Sequence, residues 1–170
     1  MGGFLLIITL FMAGCGYRFT ADSGTRLVAG QTVWVPYFTN ATVYANASVT
    51  LKRAIFDQFI EQRGIMPSAS PDQGDLLIEG VLTGYGAGVV SYTAADTARE
   101  YRLTISADIT VRKRGEKKEA KPLWKGSLSA WQDYPVAATV EMQRNSEDAA
   151  LIAASRKLAQ QLIWQMEQQY

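Results

Sequence analysis

The side chains able to do chemistry are few, and histidine is missing from all 170 residues. With a single cysteine, Cys15, serine-histidine triads, cysteine-histidine pairs and the usual zinc sites are excluded by inventory. Carboxylates remain. Asp75 with Glu79, or Asp108 with Asp133, could form acid pairs, but acid-base work needs a cleft and altered pKa values, and the surrounding residues imply neither. Gly84-Tyr-Gly-Ala-Gly88 has the look of a phosphate-cradling loop, which needs a helix immediately after it. Val89-Val-Ser-Tyr92 follows instead, so a bulged strand is expected. The strongest charge cluster is basic: Arg112, Lys113, Arg114, Lys117, Lys118 and Lys121, with only Glu116 and Glu119 among them. A solvated turn that protects a sheet edge accounts for it, and contact with phosphates of a lipid or lipopolysaccharide is the functional alternative. Arg99, Arg102 and Lys125 join that set of contacts at lower weight.

Composition sets the scale on which these residues are held. A chain of 170 residues, 48% hydrophobic and 19% charged, is one ordinary domain, large enough to build a core without metal, cofactor or disulfide. Its net charge of +1 gives no global field to draw nucleic acid. The tripeptides Asn40-Ala-Thr42 and Asn46-Ala-Ser48 match glycosylation acceptors by accident.

Residues 4–12, FLLIITLFM, are apolar apart from Thr9 and too short to cross a bilayer, and they lead into Ala13, Gly14 and Cys15. This is a signal-peptide layout. Met12-Ala-Gly-Cys15 resembles the lipobox of bacterial lipoproteins, with methionine where leucine is usual and no positive residue in Met1-Gly2-Gly3. Residues 1–14 are accordingly expected to be removed. Cys15 would carry diacylglycerol and an N-acyl chain, which caps a thiol that would otherwise stay reactive in an oxidising compartment. Gly16 rather than aspartate after the cysteine favours passage to the outer membrane. Residues 15–30 form the lipidated N-terminus and tether, and 31–170 a single domain.

Within that domain, 31–38 (QTVWVPYF) reads as a strand that Pro36 places at an edge or ends. Residues 48–63 repeat Leu51, Ile55 and Phe59 every fourth position, which predicts an amphipathic helix capped by Ser48 and stopped by Gly64. Residues 75–85 read as a strand able to continue to Tyr92. The alternation in 101–111 predicts a strand with Leu103, Ile105, Ala107 and Ile109 on a buried face. Another strand spans 123–132. Residues 134–144 are a connection, and 145–167 a second amphipathic helix capped by Asn145. The order strand-helix-strand-strand-strand-helix predicts an α+β two-layer sandwich, with two helices on one face of a roughly four-stranded mixed sheet. The opposite face stays polar, or serves a partner.

Cys15-Gly-Tyr-Arg-Phe19, Val35-Pro-Tyr-Phe-Thr-Asn40, DLLIEG over 75–80, Tyr101-Arg-Leu103, Leu123-Trp124 and the alanine-rich last helix, taken in order and spacing, resemble the lipopolysaccharide-assembly lipoprotein family, LptE. The resemblance implies a non-enzymatic, lipid-anchored outer-membrane protein facing the periplasm. Its partners would be lipopolysaccharide and the LptD β-barrel, inside which it would sit. The hydroxyl set Thr104, Ser106, Thr110, Ser127 and Ser129 suits a barrel's polar interior. Two other classes stay open: a different periplasmic binding lipoprotein, for cell wall or a transporter complex, and a lipid-anchored hydrolase using carboxylates.

Overall fold

The computed structural model describes residues 27–117 and 119–168. The signal segment, Cys15, most of the tether and Lys118 lie outside the described residues.

The first strand is shorter than its composition suggests. β1 (Thr32–Trp34) ends before Pro36, and β2 (Thr39–Asn40) resumes after it. Both run parallel to β4 (Leu76–Tyr92), Val33 opposite Leu76 and Thr39 opposite Val81. Pro36 has no N–H to give to the ladder, so the run expected over 31–38 is split. Val35 and Phe38, between the two pieces, still turn into the core. Nor is β1 an edge: β3 (Met66–Pro67) pairs on its other side.

α1 (Ala45–Arg63) starts three residues before the expected cap. Ser48 is buried on the inner face, and Tyr44 occupies the cap position without a side-chain bond. The turn before it is built by Asn40, whose Oδ1 accepts from Thr42 N–H at 2.9 Å while its amide donates to Tyr44 O at 2.7 Å. Gly64 ends α1 as expected, with φ 62° and its N–H on Ile60 O at 3.0 Å.

β4, β5 (Ala98–Lys113) and β6 (Trp124–Pro135) form an antiparallel meander. The sheet order is β3-β1-β4-β5-β6 with β2 beside β4, so six strands stand where about four were expected. The two extra ones are two-residue pieces, β2 and β3, too short to leave a period in the sequence. α2 (Val140–Gln168) begins five residues before Asn145, which sits exposed inside it. Thr139 does the capping, its Oγ1 accepting from Met142 N–H at 3.2 Å, and Gln143 reaches back to Ala137 N–H at 2.7 Å.

The core is the predicted one. Leu103, Ile105, Ala107, Ile109 and Val111 of β5 join Leu51, Ile55 and Phe59 of α1 and Leu151, Leu158 and Leu162 of α2 in one buried cluster. Ala154 and Ala159 are fully buried and let α2 lie close to the sheet. No described helix is long and apolar enough to cross a membrane. Both helices cover the same side of an α+β sandwich, so the other side of the meander is bare among the described residues.

Candidate interaction face

Pairing register assembles the bare face from alternate residues of three strands. Its rows are Gly84, Ser106 and Ser129; Gly86, Thr104 and Trp131; and Gly88, Arg102 and Asp133. Nearer the other end come Val81, Asp108 and Ser127, then Glu79, Thr110 and Lys125. The three serine hydroxyls bond to one another, to the backbone and to a carboxylate. Ser106 Oγ donates to Ser129 Oγ at 3.0 Å, Ser129 Oγ donates to Ile105 O at 3.1 Å, and Ser127 Oγ donates to Asp108. These bonds use the protons of Ser106, Ser127 and Ser129, so the three serines have acceptor lone pairs left to offer a partner.

Arg102 is the most constrained charge on this face. Its guanidinium grips Asp133 with two bonds of 2.7 and 2.8 Å and lies 3.7 Å above the Trp131 ring. Hydrogen bonding to Arg102 holds the Asp133 carboxyl below its usual range. From α2, Lys157 reaches round the edge strand, donating to Trp131 O at 3.1 Å with its ammonium 5.1 Å from the same ring. Trp131 is thus pinned by two cations while 47% exposed. A rigid, half-exposed tryptophan in a polar frame has the composition of a binding hot spot.

The basic cluster divides by function. At the β5–β6 turn, where Gly115 takes φ 78°, Arg112 donates to Ala120 O at 2.9 Å. Arg114 donates to Asp72 O at 3.2 Å and pairs with Asp75 at 3.3 Å. Lys113, Lys117 and Lys121 are exposed. Arg99 and Arg102 stand near the far end of the hairpin, so the nine cations do not form one patch.

The sequence from residue 30 to residue 166 matches the family model for lipopolysaccharide assembly, LptE. The chain belongs to the LptE family. No curated protein sequence matches it. Among solved structures, a hypothetical protein of Chlamydia trachomatis aligns with TM-score 0.52 at 10% identity, covering 82% of this chain and 96% of that one. PelC of Paraburkholderia phytofirmans aligns with TM-score 0.51 at 8% identity, covering 79% and 90%. At these identities the likeness is one of fold. Rare lipoprotein B of Shewanella oneidensis is also similar, with TM-score 0.48, 12% identity, and 81% and 94% covered.

In this LptE-family chain three of the four weighed carboxylates are occupied structurally, and Glu79 is exposed on the bare face opposite Thr110. Asp75 accepts from Thr32 N–H and Thr32 Oγ1, each at 3.0 Å, and these bonds, with Arg114, hold its carboxyl low. Asp108 and Asp133 stand on separate rows, bound to Ser127 and Arg102. No group of three or more metal-ligating acids, cysteines or histidines exists among the described residues. Gly84 to Gly88 continue β4 with no helix after them.

One cluster escaped the sequence reading. Tyr44 stacks on Tyr85 with centroids 3.8 Å apart, and Tyr85 Oη donates to Glu147 Oε1 at 2.6 Å. Tyr101 stacks on Tyr134 at 5.8 Å. Burial pushes the Tyr134 hydroxyl up to about 12, and burial with Glu147 raises Tyr85. The four rings lie where both helices begin and close that end of the sandwich. The Tyr85–Glu147 bond spans 62 residues, and no local pattern foretells it.

Proposed function

We propose that this protein is a non-catalytic assembly subunit that meets the inner wall of an LptD-like outer-membrane β-barrel through its bare sheet face and helps place lipopolysaccharide in the outer leaflet. The observation that carries this reading is the face itself: three long strands without a covering layer, rich in hydroxyls, with one pinned tryptophan. Hydroxyls and paired charges suit a polar barrel interior, where apolar residues would suit lipid. Family membership supports the lipopolysaccharide role, and the structural use of Asp75, Asp108 and Asp133 supports a role without catalysis. Removal of residues 1–14 and lipid on Cys15 would hold the protein to the outer membrane, facing the periplasm. Arg99, Arg102, Arg112, Lys113, Arg114, Lys117, Lys118, Lys121 and Lys125 are the candidate contacts for lipopolysaccharide or anionic lipid; Arg112 and Arg114 have the least reach, because they brace the turn.

Tagged full-length protein should co-purify with a single outer-membrane barrel, and its depletion should lower surface lipopolysaccharide. A monomer without such a partner, together with normal surface lipopolysaccharide after depletion, contradicts the proposal.

A further inference from the structure

β6 is the last strand of the sheet, and no strand lies along its outer edge among the described residues. Register tells which backbone groups point there. Val136 N–H bonds Arg99 O at 3.0 Å, so even-numbered residues of β6 exchange hydrogen bonds with β5 and odd-numbered ones turn theirs outward. Two side chains confirm the alternation by bonding outward carbonyls. Lys157 Nζ donates to Trp131 O at 3.1 Å, and Gln132 Nε2 donates to Asp133 O at 2.9 Å. Toward the start of β6 this protection stops. Lys125, Ser127 and Ser129 are exposed, and their backbone N–H and C=O groups have no partner among the described residues.

Open backbone is a liability that folds usually blunt, and the rest of this sheet does so. On the opposite side β3 is two residues long and ends in Pro67. β4 has no neighbour on that side beyond Leu82, but its ladder with β5 changes register three times from there on, and bulges spoil an edge as a template. β6 is regular through all 12 residues. Its open residues also put their side chains on the bare face, so a partner that covers this face comes within reach of their backbone. A barrel wall is itself closed and has no strand edge to give, so pairing here takes an extended loop folded into the lumen. Lys125 makes no ion pair among the described residues, and Lys157 lies further along the same edge, so the complementary loop is acidic.

We propose that Lys125 to Ser129 of β6 form a strand-addition site, at which an acidic luminal loop of the barrel partner pairs with the open edge of the sheet. This deepens the barrel-partner reading and rests on it.

The test uses the full-length chain co-expressed with the LptD barrel, and reads amide exchange and competition. In the free protein the N–H groups of Lys125, Ser127 and Ser129 should exchange fast and those of Gly126, Leu128 and Ala130 slowly. In the complex the first three should become slow as well. Ser127→Pro removes the central outward N–H and spares the ladder to β5, whereas Ser127→Ala loses the same hydroxyl but keeps the N–H. With barrel limiting and wild-type chain as competitor, Ser127→Pro should be disfavoured about tenfold more than Ser127→Ala. If Ser127→Pro does not fold, exchange in the wild-type complex still decides. Lys125→Glu should weaken the complex more than Lys125→Gln, and the reverse order overturns the acidic character of the loop. Fast exchange at Lys125, Ser127 and Ser129 within an intact complex, or equal competition by the two Ser127 variants, overturns strand addition alone. Slowing of the same amides in the barrel-free chain as its concentration rises assigns the edge to a second copy and overturns it too. Failure of the barrel to co-purify overturns the barrel reading and strand addition together.

Discussion

Asp75 and Asp133 look alike in the sequence, and their surroundings give them different work. Asp133 steadies a surface arginine, whereas Asp75 ties Thr32 of β1 and Arg114 of the turn to the start of β4. Asp75 titrates below its ordinary 3.8 in the folded protein, so its contribution is complete above that pH and is lost as pH falls through the lower, folded value. Asp75→Asn should flatten this part of the acid unfolding curve, as followed by circular dichroism, while lowering stability at neutral pH. An unchanged acid limb would mean that Asp75 carries no linkage. Charges and their signs were legible in the sequence, but their partners were not. Arg102 finds Asp133 and Trp131 only because β5 and β6 pair in one register, and a shift of β6 by one residue would send Asp133 and Trp131 to the other face, away from Arg102.

Elements were read well where a period was long and poorly where a single residue decided. Eleven alternating residues defined β5, and fourfold spacing defined α1. Pro36 then split the first strand, and Thr139 started α2 ahead of Asn145, both local events inside a region that otherwise fits the expected pattern. Glycines in β4 need the same distinction. A Cβ on Gly80 would come within 2.5 Å of Asp108 O and of Phe38 Cε1, so this glycine makes room for the aromatic ring that the split strand turns inward. Gly86 meets nothing within 4 Å. Gly80→Ala should cost about 1–3 kcal/mol in urea unfolding, the usual effect of overpacking. Gly86→Ala should be neutral or mildly stabilising, since it removes backbone freedom from the unfolded chain. Equal effects at the two sites would contradict the assignment of Phe38 to the space above Gly80.

At the scale of the molecule, a core is complete on one side of the sheet and nothing described covers the other. The sandwich class, the two-helix layer and the polar outer face followed from alternation and spacing. The tyrosine-glutamate cluster at the far end, and the separation of the basic residues into two ends, depended on contacts across the fold. On the proposed function, the bare face is the side that meets the barrel. A photo-crosslinking residue at Thr104, in the middle of that face, should capture an outer-membrane β-barrel protein in living cells, whereas the same residue at Ile152, exposed on α2, should not. Capture of the barrel from Ile152 with none from Thr104 would contradict it, since the helices would then be the side that meets the partner.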